Sequence, residues 1–180
     1  MIDNYGALTL GRYMRVNAVL ESEDEELDKQ VQIIAILADM TEAEVLSLPL
    51  SDYSAMAAKI GFLGTLCAPA DVDGSPITAG EFTLIPVRDF TKINTAQYVD
   101  FQTFSKGGTQ KLPEFIAVLL VPEGHNYNDG YDVAKVVRVV RDLPLPMALG
   151  LSAFFFGQLV QSIQASLTSL ESAAKSLLKR

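Results

Sequence analysis

Apolar positions along this chain recur mostly at helical spacing, and short turn-forming stretches separate one recurrence from the next. Residues 8–20 bring Leu10, Tyr13, Met14, Asn17 and Ala18 near one face, which predicts a helix, with Val16 and Val19 leaving a strand as the alternative. The acidic run Glu21, Glu23, Asp24, Glu25, Glu26 leads into the next stretch, since negative charge is favourable at a helix N-terminus. Val31-Gln32-Ile33-Ile34-Ala35-Ile36-Leu37 continues that helix and is apolar on most sides, the pattern of a buried element.

Thr41 and Glu44 have capping-box spacing, in which hydroxyl and carboxylate each satisfy an orphaned backbone donor, so a short helix starts there. Leu48-Pro49-Leu50 ends it, and Ser51 is placed to cap a further helix to about residue 63 that carries Tyr53, Met56, Ile60 and Leu63 inward. Pro69, Asp71, Asp73, Gly74, Ser75 and Pro76 then mark residues 64–80 as loop and as the clearest internal boundary. Residues 81–87 read as one strand, which Pro86 confines to a sheet edge or to the strand's end. Its partner is left open among residues 68–72, the N-terminus and another subunit.

In the second half Asn94 or Thr95 caps a helix carrying Tyr98, Phe101, Gln102 and Phe104, stopped by Gly107-Gly108. Pro113 sits near the first turn of a helix through Phe115, Ile116, Val118, Leu119 and Leu120, ended by Pro122 and Gly124. After a turn-rich stretch at 125–130, Asp132 opens a helix bearing Val133, Val136, Val137 and Val140. Beyond Leu143-Pro144-Leu145-Pro146 a last long helix runs towards Arg180. From Gln161 onward it carries Ile163, Leu167, Leu170, Ala174, Leu177 and Leu178 at spacings of 3 and 4, the narrow seam of a two-helix contact.

These elements predict a mainly α fold: a helical bundle of about six to seven helices with one short strand or hairpin in the middle. It divides into an N-terminal helical subdomain (1–63), a loop and strand connector (64–90) and a C-terminal helical subdomain (91–180), closely packed as one domain. A weak internal repeat accompanies this division. Leu8, Tyr13, Ile34-Ala35-Ile36-Leu37, Leu48-Pro49-Leu50 and Gly61-Phe62-Leu63 are matched in order by Ile93, Tyr98, Ile116-Ala117-Val118-Leu119, Leu143-Pro144-Leu145 and Ala153-Phe154-Phe155. A duplicated helical unit would produce that order.

Composition narrows the function classes. Hydrophobic residues make up 49% of the 180, ample for a core, while a formal charge of −8 argues against nucleic acid as a partner, because phosphate binding needs clustered Lys and Arg. Cys67 has no intramolecular disulfide partner, and no charged n-region with an apolar run opens the chain, so secretion is not indicated and a cytosolic site of synthesis is expected. Residues 143–160 are apolar enough to be checked as a membrane span. Pro144, Pro146 and Gln158 interrupt them, so a buried or partner-covered helix is expected there and no membrane partner.

One His, one Cys and no Trp leave little material for catalysis. His125, in Glu123-Gly124-His125-Asn126-Tyr127-Asn128-Asp129-Gly130-Tyr131-Asp132, superficially resembles a calcium loop but lacks the alternating acids and closing Glu of an EF-hand, so it reads as a structural turn. Cys67 has no His or basic neighbour in sequence to activate it. Phosphate-loop, dinucleotide-binding and nucleophile-elbow strings are missing. The expectation is a non-enzyme with no cofactor or metal site.

What remains is surface. Three consecutive rings, Phe154, Phe155 and Phe156, fan around a helix at about 100° per residue, so at least one should face something other than the same core. The helix is either sandwiched within its own domain or in contact with a subunit or client. With the seam that follows, this makes 151–178 the candidate for oligomerisation or docking, with Phe154, Phe155, Phe156, Leu159, Ile163, Leu167 and Leu170 as partner-binding residues.

Leu8-Thr9-Leu10-Gly11-Arg12-Tyr13, the helix at 33–37, Thr41-Glu42-Ala43-Glu44-Val45 and Leu48-Pro49-Leu50-Ser51-Asp52-Tyr53 together resemble the tail assembly chaperones of long-tailed bacteriophages. Phe90-Thr91, Ala96-Gln97-Tyr98-Val99-Asp100 and Ala153-Phe154-Phe155 fit the same pattern. The resemblance implies an acidic, mostly helical protein that binds and solubilises a tape-measure protein in the host cytoplasm, without catalysis and without staying in the virion. The loop and strand in the middle depart from that pattern and keep open a structural role in the virion, at a neck, connector or capsid, acting through homo-oligomerisation.

Overall fold

The computed structural model describes residues 1–177, and for residues 166, 167 and 169–177 the backbone alone. Among the described residues are eight α-helices and one three-stranded antiparallel sheet. Helix α1 (Leu10–Leu20) opens on the Thr9 hydroxyl, which accepts from the Arg12 N–H at 3.3 Å. Val16 settles the choice between helix and strand: it is fully buried inside the helix, while Ala18 is exposed, so the inward face is rotated from the predicted one. The rotation follows from α1 packing against both α2 (Glu26–Ala38) and α7 (Val133–Asp142).

Helix α2 ends where Asp39 turns left-handed (φ 59°), and the Thr41–Glu44 box then opens α3 (Glu42–Leu46) with both halves of the cap in place. The next helix, α4 (Leu50–Lys59), starts two residues earlier than predicted. Ser51 lies exposed inside it and does not cap it; the Pro49 carbonyl accepts from the N–H groups of Asp52 and Tyr53 at 2.9 and 3.0 Å. A 3-10 turn, Ile60–Gly64, replaces the expected last turn.

One short strand or hairpin was expected; β1 (Ile77–Ala79) and β2 (Phe82–Pro86) form that hairpin, and β3 (Leu120–Pro122) adds a third strand in the order β1-β2-β3, so both partners of β2 lie outside the three places considered for one. Pro86 is the last residue of β2, the second of the two places expected for it, and the strand itself is central rather than an edge. Val87 N–H donates to the Leu119 carbonyl and Glu123 N–H to that of Thr83, so residues 83, 85 and 87 face β3 and the missing donor of Pro86 points past the end of β1, whose pairing stops at Leu84. β3 also corrects the helix read through Leu120, because α6 (Leu112–Val118) stops short, Leu119 makes the turn and Leu120 enters the sheet. Leu119 and Leu120 are fully buried, and a short apolar run buried on all sides has no periodicity to separate helix from strand.

Helix α5 (Thr95–Phe104) is capped by Asn94, whose side chain accepts from Gln97 N–H, and Asp132 caps α7 in the same way through Ala134 N–H. Helix α8 (Leu145–Leu177) is the last described element. One core cluster runs from Leu8 to Phe155 and draws on all three predicted parts, and a smaller one, Val31, Ile34, Ala35 and Val45, joins α2 to α3 and α4. In the two halves the Leu-Pro-Leu segments each lead into a helix, α4 and α8. The helix holding Ile116 runs into β3, whereas that holding Ile34 runs into α3.

Replacing Thr41 with Ala should lower stability by about 1 kcal/mol, read from urea midpoints. The Thr41 N–H and hydroxyl hold the Glu44 carboxyl below its ordinary range. A depressed pKa stabilises the fold above the unfolded value, and that contribution is lost as pH falls through the folded one. The midpoints of the native chain and Glu44→Ala should therefore converge as pH drops below the carboxylate range.

Candidate functional site

The first turns of α8 are held by chain from distant parts of the sequence. Leu10 N–H donates to the Leu143 carbonyl and Leu145 N–H to that of Leu8, at 2.9 and 2.7 Å, which stitches the N-terminal segment to the start of the helix. On another side the loop before β1 crosses over α8, with Ala70 N–H donating to the Pro146 carbonyl at 2.8 Å. Gly150 permits that crossing, because a Cβ there would collide with the Ala70 carbonyl oxygen. Leu145, Ala148, Leu151 and Phe155 are fully buried as a result.

The three phenylalanines meet three different surroundings. Phe155 is in the core, with no exposed surface. Phe154 is covered by Gly74, where the positive φ (80°) suits glycine and a Cβ would lie 2.7 Å from the ring, while Arg88 donates twice to the Gly74 carbonyl at 3.1 and 2.8 Å. Phe156 stacks on Phe115 at 5.3 Å, at the end of a relay of rings through Phe101 to Phe90, yet stays 50% exposed.

Phe155 is thereby removed from the partner-binding set, since no partner reaches a side chain with no exposed surface. Phe154 and Leu159 also pack on the chain's own core, half-buried. The surface that remains is Phe156, Val160 and Ile163, 50, 52 and 51% exposed. Steps of 4 and 3 keep these within about 60° of one another around the helix, on a face that Leu159 only borders. Val160 was missing from the sequence reading, although the seam's own spacing, run back two steps from Ile163, would have reached it and Phe156. Leu167 and Leu170 lie outside the residues whose side chains are described, as does all of Leu178.

Beyond Phe155 no described residue of α8 is fully buried, and at about 1.5 Å per residue the helix is about 50 Å long, so its latter part extends past the core. Leu145–Ala165 is long and apolar enough to cross a bilayer by length and composition. Its first eleven residues are the ones locked into the core, and a spanning orientation would have to extract them.

A second feature is a cleft of about 840 Å³ between the sheet, the start of α5 and the 124–129 loop. Tyr127 anchors that loop: its hydroxyl donates to Asp100 at 2.7 Å and its carbonyl accepts from the Asn94 amide at 3.2 Å. Burial first, then the Asp100 bond, raises the phenol's pKa well above its ordinary value, and burial pushes Tyr131 up to about 12. His125 is exposed with Nδ1 3.1 Å from the Asp129 carbonyl, and Asn128 takes a left-handed turn (φ 61°), so this is an internally bonded loop. Among the described residues no three His, Cys, Asp or Glu side chains gather as a metal set. Cys67 is half-buried and desolvation raises its thiol pKa, the opposite of what a nucleophile needs. The cleft draws on three separate sequence segments, and only its turn-forming residues gave any earlier sign of it.

Compared with protein families, curated proteins and solved structures, the chain matches none.

Phe155→Ala should cost about 3–5 kcal/mol in urea unfolding, as a large ring lost from a filled core, whereas Ile163→Gln should change stability by no more than about 0.5 kcal/mol. Equal costs at the two positions would place Ile163 in the core instead.

Proposed function

We propose that this protein is a non-catalytic phage assembly protein that binds and solubilises a long helical partner, a tape-measure-like protein, through the exposed stripe of α8 during tail morphogenesis in the host cytoplasm. The observation that carries the reading is the half-exposed run of Phe156, Val160 and Ile163 on a helix whose first turns are fixed in the core. A helix anchored at one end presents its remaining apolar stripe at low entropic cost, and covering the exposed half of each such side chain contributes about 1 kcal/mol.

A helical client suits this stripe better than an extended one. A row one residue wide, at 4-3 spacing, receives the matching row of another helix, whereas an extended strand seeks a sheet edge or a broad groove. The sequence resemblance to tail assembly chaperones supplies the setting, and the exposed stripe supports the binding role. The alternative, a structural component of the virion acting through oligomerisation, uses the same stripe and differs in its fate: such a chain stays in the purified particle.

Co-expression with the tape-measure protein of the same phage genome tests the proposal. The tape-measure protein should move from the insoluble to the soluble fraction with the native chain and stay insoluble with Ile163→Glu, whose own fold circular dichroism should show intact. Solubilisation that survives both Ile163→Glu and Val160→Glu would overturn it.

A further inference from the structure

We infer that a second copy of this chain covers the α8 stripe when no client is present, so that the protein is a homodimer paired helix to helix along α8. This rests on the reading that the stripe docks helices, and it names the first occupant.

Spacing is the first argument. Phe156, Val160 and Ile163 are the described and exposed start of the series, and the sequence continues it through Leu167, Leu170, Ala174 and Leu177. The intervals alternate 4, 3, 4, 3, 4, 3 over 22 residues, a mean of 3.5. That period keeps one row of side chains facing a single parallel or antiparallel neighbour over three heptads, as in a two-helix supercoil. A helix that only lies on its own globular core needs a broader stripe, and α8 already has one in its first eleven residues. A row of this kind is complementary to itself under a two-fold axis.

Charge is the second argument, and it leaves α8 as the segment where a second copy can approach. Residues 1–144 hold 21 acidic and 11 basic side chains, a net −10, so two copies repel each other over most of their surface. Residues 145–177 hold Glu171 and Lys175 and nothing else charged, so along this segment two copies meet without that penalty. The positions flanking the described stripe, including Gly157 and Gln164, carry no charge that would reject an identical neighbour or fix one foreign partner. The pairing is accordingly open to exchange, and a client helix replaces the second copy by competing for the same row.

Light scattering on the full chain over about two decades of concentration tests the inference. The mass should rise from 19.5 kDa to twice that value and no further. Ile163→Glu should weaken the dimer about a hundredfold or more with an unchanged circular dichroism spectrum. Leu50→Glu, at a leucine on α4 that is 78% exposed and off the stripe, should leave the dimer intact. A monomer throughout, a trimer or larger ring, or a dimer lost in Leu50→Glu and kept in Ile163→Glu would overturn it. Adding the tape-measure protein separates the two claims: a dimer that ignores it removes the proposed function alone, and binding by a chain that is always monomeric removes the dimer alone.

Discussion

The enclosure of the first turns of α8 is the constraint on which the rest of this structure depends. Three pieces of chain distant in sequence converge there: the Leu8 carbonyl on Leu145, the 70–74 loop with the Ala70 amide on Pro146 and Gly74 over Phe154, and Phe115 beside Phe156. Each is directional or closely packed, so together they fix where the helix starts and which way it points. With that fixed, residues past Phe155 have no freedom except to continue outward, and the half-exposed stripe is what continues with them. The apolar surface is a consequence of a rigid core rather than of loose packing.

The parts of this arrangement that could be read from the sequence are the ones decided by neighbours a few residues apart. Thr41 with Glu44, Asn94 and Asp132 each name a helix start because the side chain and the amide it bonds lie within three residues. The sheet failed on the opposite ground. β2 and β3 are joined across more than thirty residues, and nothing local to Leu119-Leu120-Val121-Pro122 tells a buried strand from the last turn of a buried helix. Ser51 misled because Pro49, although it lacks an N–H, presents a carbonyl that can start the helix by itself.

The phenylalanine triplet falls between those cases. Helical angles were enough to show that Phe154, Phe155 and Phe156 point three ways, and they do, towards a loop, the core and half into solvent. Which ring took which surrounding depended on Gly74 and Phe115, neither of which lies near the triplet in sequence. The cleft was out of reach for the same reason, since its walls come from the β2–α5 segment, the 121–129 segment and Gly74 with Pro76.

An exposed apolar row is normally a liability, because it associates with whatever apolar surface it meets. Here the charge distribution restricts that association. All the acidic residues but Glu171 lie in 1–144, including the exposed run at 21–26 at the start of α2, and the row sits on a segment with no net charge. Bodies of like charge hold each other off at distances up to the screening length of about 8–10 Å, while the extended helices can still touch. In the proposed pairing, repulsion between the bodies and attraction between the helices act on different parts of the molecule, and lateral contact along α8 satisfies both. The proposed pairing of α8 with another α8 or a similar helix fits that distribution, because a broad surface would have to approach the acidic body.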